Sequence, residues 1–233
     1  MTPSPTRGIT AALFAVVALT ACSRATQGAV QTSPSRAPSP LPATAAQGNP
    51  AAIAKAKADS ARHPYTQADI HFMSGMISHH AQAIVMALWA PSHGASPSIR
   101  TLCQRIINAQ TDEIALMQQW LRDRQLPAPE ARATGMKMMM NGVEHDMLMP
   151  GMLTEAQLQQ LDQARGTEFD RLFLTFMIQH HKGAVTMVKE LLDSYGAGQD
   201  DLVFKFASDV NIDQTTEIAR MEKLLVAVIT TPQ

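Results

Sequence analysis

The chain has 233 residues, 45% of them hydrophobic and 17% charged, with a formal net charge of −1. That suffices for a packed core, and it lacks the basic surplus on which nucleic-acid binding depends, so nucleic acid is not an expected partner. Aromatic residues make up 5% while methionine occurs 15 times, and a core built from Ala, Leu, Ile and Met favours an all-α fold.

In chain order, residues 1–22 read as a lipoprotein signal peptide. Arg7 precedes an apolar run from Ile9 to Leu19 that is too short to span a bilayer, and Leu19-Thr20-Ala21-Cys22 resembles a bacterial lipobox. Lipidation would fall on Cys22, anchoring the protein to a membrane of the cell envelope on its periplasmic or extracellular side. An ordinary cleaved signal and an uncleaved anchor are the alternatives, and each of them also exports the chain. The other cysteine, Cys103, then has no intramolecular partner and is expected as a buried apolar residue. Residues 23–64 form an Ala/Pro/Ser-rich tether interrupted by Pro34, Pro38, Pro40, Pro42 and Pro50, with room for a short helix only over residues 51–61.

The domain proper is expected over residues 65–230. Its first helix starts near Thr66, with Thr66 or Asp69 as cap, and places Asp69, Phe72, Met73, Met76, His80, Ala83 and Ala87 on one stripe. Pro91, Gly94 and Pro97 make a turn, and Ser96 before Pro97 starts a second helix over residues 98–122. On that helix Ile106, Gln110, Glu113, Ile114, Met117 and Leu121 share a face. Residues 125–153 are a Met-rich linker broken by proline and glycine. Thr154 with Gln157 forms a capping box ahead of a short helix to Ala164. A third long helix covers residues 167–194, Gly196 and Gly198 end it, and a fourth covers residues 201–228.

The helices repeat. An offset of 101 residues carries His79-His80 onto His180-His181, and with them Asp69 onto Asp170, Phe72 onto Phe173, Met76 onto Met177, Ala83 onto Ala184 and Met86 onto Met187. An offset of 104 carries QTDEIALM, from Gln110, onto QTTEIARM, from Gln214. Two similar helical hairpins with apolar stripes are most economically buried as one four-helix bundle. One departure stands out, since Gln82 in the first copy faces Gly183 in the second.

The paired HHxxAxxM stretches, the joining segment MPGMLTEAQLQQL ahead of FDRLFLTFMIQHHKGA, and the two QxxEI stretches together resemble the bacterial family catalogued as domain of unknown function 305. The resemblance covers about residues 68–225. It implies a ferritin-like four-helix bundle, exported in many members, with some members linked to copper binding and copper tolerance.

The residues carry a chemical argument of their own. Adjacent histidines on a helix point about 100° apart, so one of each doublet can face the bundle axis while its neighbour faces an adjoining helix. His79, His80, His180 and His181 could then converge. Met76 and His80, like Met177 and His181, are four apart and share a face, and Met86 and Met187 lie at matching places beyond the doublets. Imidazole with thioether suits copper, Cu(I) above all, whereas zinc, the alternative, more often recruits thiolate or carboxylate. Glu113 and Glu217, with Gln110 and Gln214 beside them, could orient the histidines through their second nitrogens. Met147, Met149 and Met152 form a candidate soft-metal capture loop whose binding should persist in acid, while histidine-held metal should be released as pH falls through roughly 6.

The competing reading makes the histidines structural, each hydrogen-bonded to a buried Gln or Glu, in an envelope module that binds another protein instead of a metal. A metal-dependent oxidoreductase is a weaker fit, because Glu113 is followed three residues on by Leu116 and Glu217 by Arg220, and di-iron bundles need His there. No enzyme is expected. Asp69 and Asp170 read as caps or salt-bridge partners, and His63, His71, His93 and His145, which lack duplicated positions, receive no role. The expected function is copper binding and sequestration in the cell envelope.

Overall fold

The computed structural model describes residues 49–230. The expected signal peptide, the lipidated Cys22 and most of the tether lie outside the described residues. Within the last part of the stretch expected as tether, α1 forms over Pro50–Arg62. Ala and Lys are good helix formers, Pro50 sits at the first turn, and the Asn49 side chain caps it by accepting from the Ala51 N–H at 3.0 Å.

Four long helices follow, as two hairpins: α2 (Gln67–Leu88) with α3 (Pro97–Asp123), and α5 (Gly166–Asp193) with α6 (Asp201–Thr230). A short α4 (Glu155–Gln163) precedes the second hairpin. Thr66 and Asp69 make a reciprocal capping box on α2, and Thr154 and Gln157 make another on α4. Ser96 is the N-cap of α3, but its side chain makes no capping bond. Its backbone N–H donates instead to both carboxylate oxygens of Asp170, each at 3.2 Å.

That contact has a counterpart in the other half. Asp69 accepts from the Gly198 N–H at 2.7 Å. The two aspartates are 101 residues apart in sequence, and each ties down the turn that follows the opposite helix of the α2–α5 pair. α2 and α5 therefore run antiparallel with an approximate twofold relation, and each aspartate spends its charge on backbone donors.

The apolar stripes bury two clusters. One gathers Phe72, Met73, Met76, Met117, Trp120, Leu121, Val188 and Phe206, and the other Met86, Ile99, Leu102, Ile106, Phe169, Phe173, Met177 and Met221. Side chains of this size contribute roughly 1.5–3 kcal/mol each on full burial, which makes the clusters the main source of stability. Along α2 and α5 the histidine doublets lie between them.

The linker is not structureless. β1 (Met136–Met140) and β2 (Val143–Met147) pair antiparallel, Met136 opposite Met147. Asn141 and Gly142 connect them with φ of 52° and 78°. Positive φ at both turn positions is the type I′ geometry that Asn-Gly favours, and this small hairpin is an addition to the helical domain that the sequence led us to expect. Among the described residues no helix is long and apolar enough to cross a membrane.

Candidate metal centre

The four paired histidines are all buried, with 0–1% exposure. His79 and His180 meet on the α2–α5 seam, their ring centroids 3.8 Å apart and their planes tilted by 37°. His80 and His181 turn outward. His181 Nε2 donates to Glu217 at 2.8 Å. His80 Nε2 lies 2.7 Å from Glu113, an ion-pair distance, but without the alignment of a hydrogen bond, so proximity and bonding disagree at this one of the two equivalent sites. The carboxylates of the two outward pairs stand close to Asp213, whose carboxyl is pushed above its usual value first by partial burial and then by Glu113, Asp209 and Glu217.

The inner pair is electrostatically unusual. Burial holds His79 and His180 well below the ordinary histidine range, and the neighbouring histidines add to the effect. Both rings are therefore neutral across the physiological range, the form in which imidazole can be a ligand. His79 keeps one partner, with Nε2 donating to the Pro150 carbonyl at 3.1 Å. Neither nitrogen of His180 has a partner, nor do Nδ1 of His79, His80 and His181. Buried polar atoms are ordinarily bonded, so this concentration of unpartnered nitrogens marks the seam as a place built for something other than packing.

Above the seam lies the segment Met149–Leu153, which serves as a strap. Gln82 grips it from α2, donating Nε2–H to the Leu153 carbonyl at 3.0 Å and accepting the Leu153 N–H at 2.6 Å, and it also donates to the Ala133 carbonyl at 3.0 Å. On the α5 side Gly183 admits the strap, because a β-carbon there would collide with the Pro150 carbonyl. The departure of Gln82 against Gly183 between the two sequence copies is thus the two sides of a single docking joint.

The structure sorts the methionines differently from the sequence grouping. Met76, Met86 and Met177 are fully buried and Met187 nearly so. Met149 and Met152 are buried under the strap, where Met152 Sδ lies 3.3 Å from the Met149 N–H, whereas Met147 is 36% exposed on β2. Met147, Met149 and Met152 are therefore not one exposed capture loop, since the chain passes from the solvent-facing hairpin into the core between the first two. Gln110 and Gln214 are buried, and their side-chain carbonyls make no hydrogen bond. Cys103 is buried, its thiol pushed up to about 12 chiefly by burial and then by Asp170, which keeps it protonated and a poor ligand. His93 is also buried, but Nε2 contacts Asp162 far along the chain from the doublets. Among the described residues no group of three or more His, Cys, Asp and Glu side chains is arranged to hold a metal ion. The donors that do lie close together are His79 and His180, while the Met149 sulfur and the Met187 methyl both approach Gly75.

Fold and site together define a duplicated helical-hairpin protein with a buried histidine seam. The chain belongs to the family described as Domain of unknown function (DUF305), which matches residues 69–225. Among solved structures it is similar to a DUF305 protein of Streptomyces coelicolor described as secreted, at 26% identity and TM-score 0.59 over 71% of this chain and 96% of that one. It is similar to a DUF305 fragment from Deinococcus radiodurans at 27% identity and TM-score 0.57, covering 70% and 99%. It is also similar to CopM in the Cu(I)-bound form, at 27% identity and TM-score 0.51, covering 67% and 94%. No curated protein matches the chain.

Proposed function

We propose that this chain is an exported copper-binding protein of the cell envelope, holding the metal through histidine and methionine, with Cys22 as a lipid anchor. The observation that carries the reading is His180, whose two ring nitrogens are buried without a partner against the neutral ring of His79. A bound cation would satisfy nitrogens that the fold leaves unbonded, and the buried methionines on the same helices and on the strap favour Cu(I) over Zn(II). The likeness to CopM supports copper as the metal. The two rings are in contact with their planes tilted by 37°, so ligation entails turning one ring away from the other. His80 and His181 serve a different purpose, held outward by Glu113 and Glu217. The reading is one of binding without turnover, because Glu113 and Glu217 are followed three residues on by Leu116 and Arg220, where a di-iron site uses histidine.

The test is Cu(I) titration of the exported chain against a competing chelator. The wild type is expected to bind, and His79→Leu with His180→Leu is expected to lose at least one bound ion while remaining helical by circular dichroism. Full retention of copper in that double variant would sink the assignment. Cys22→Ser is expected to release the protein from the membrane fraction.

A further inference from the structure

A small cavity of about 90 Å³ opens where α2, α5 and the strap meet, lined by His71, Met149, Met187 and Glu190 among others. We propose that it is a second, solvent-reachable site for a soft monovalent cation, Cu(I) or Ag(I), held by the sulfurs of Met149 and Met187 and the imidazole of His71. The inference rests on the copper-binding reading above and adds a site that does not use the histidine seam.

Three observations converge on it. The cavity suits the scale of a hydrated ion and falls well short of the roughly 300–1,000 Å³ of a drug-sized ligand pocket. Its lining supplies two thioethers and one imidazole, a donor set that selects Cu(I)-type ions, whereas Mg(II) or Ca(II) would find the Glu190 carboxylate alone among the charged side chains there. Gly75 is what admits the Met149 sulfur, for a β-carbon there would stand 2.7 Å from Met149 Sδ, and the Met187 side chain packs beside it with its methyl 3.4 Å from the same point. His71 lies one turn earlier on the same face of α2 and is exposed. It can meet an ion from solvent while the two buried methionines wait behind it.

The internal repeat provides the control. At the offset of 101, Met187 corresponds to Met86, but His71 corresponds to Leu172 and Gly75 to Phe176. In the second copy an aromatic ring and an aliphatic side chain fill the places that the first copy gives to sulfur and imidazole. A purely packing role for the region would be met by the same residues on both sides. The half that carries the glycine also carries the histidine.

The experiment uses the exported chain with Cu(I) and, separately, Ag(I), by chelator competition and X-ray absorption. His71→Ala, an exposed change that leaves the core intact, is expected to weaken one bound ion by more than about tenfold, since even outer partners of a metal ligand alter affinity by ~10–100-fold. Met187→Leu, close in volume, is expected to abolish the sulfur-rich signal, while His79→Leu with His180→Leu retains it. Binding unchanged in both His71→Ala and Met187→Leu, with the wild type still taking up copper, overturns this site and leaves the seam standing. A wild type that binds no copper overturns the function itself.

Discussion

His79 and His180 make stability depend on pH in a definite direction. Their folded-state pKa values are depressed by burial, so between the unfolded value near 6.5 and the lower folded value the unfolded chain binds more protons. The stabilisation is complete above about pH 6.5 and is lost as pH falls from there, by up to about 1.4 kcal/mol per pH unit for each ring. Melting temperature should drop between pH 7 and pH 5, and His79→Leu with His180→Leu should flatten the profile. The same depression bears on metal release, because rings that stay neutral further into acid would hold a metal below the pH of about 6 at which an ordinary histidine lets go. At the strap, Gln82→Leu leaves the Leu153 N–H and carbonyl without their partner, at about 1–3 kcal/mol for each buried group. Gly183→Ala should cost at least as much by driving a methyl into the Pro150 carbonyl. Chemical denaturation of both variants measures the two sides of the joint.

At the scale of elements, the β1–β2 hairpin should be separable from the helices. All of β2 is exposed, so Gly142→Val, which forces a β-branched residue to φ near 78°, should abolish the strand pairing while leaving the helical melting transition in place. Amide exchange restricted to residues 136–147 is the readout, and a loss of global stability would show that the hairpin braces the helices. This hairpin was readable in advance, since Asn-Gly between two five-residue runs is a strong local signal, but the surrounding methionines drew the eye to chemistry instead. The capping boxes at Thr66 and Thr154 and the bounds of the four long helices were legible because they depend on neighbours within a turn. So was the outward and inward division of each histidine doublet, which follows from helical spacing. The strap was not legible. Leu153 and Gln82 are 71 residues apart, and nothing in either neighbourhood announces the other. The significance of Gly75 was hidden for the same reason, because its neighbour Met149 arrives from a different part of the chain.

For the whole molecule, the paired contacts Asp69 to Gly198 and Asp170 to Ser96 staple the two hairpins at opposite ends. Asp69→Asn and Asp170→Asn should each destabilise, since bonds to an ionised acceptor are worth about 1.5–3 kcal/mol. Asp69 should be the more sensitive, because it also completes the capping box of α2. A melting-temperature loss larger for Asp170→Asn would contradict that ranking.

The mismatched joint at Gln82 and Gly183 bears on a hazard of being built from two near-copies. Hairpins this alike can choose the wrong mate, the first half of one chain pairing with the first half of another, since their apolar faces and end staples are close to interchangeable. Only a pairing of unlike halves sets a gripping glutamine opposite a glycine that admits the strap. Like with like leaves either two glutamines competing for one strap or none at all. Negative selection of this kind operates through the asymmetric contact alone. Gly183→Gln is accordingly expected to raise the fraction of dimers joined through like halves, read by analytical ultracentrifugation against the wild type.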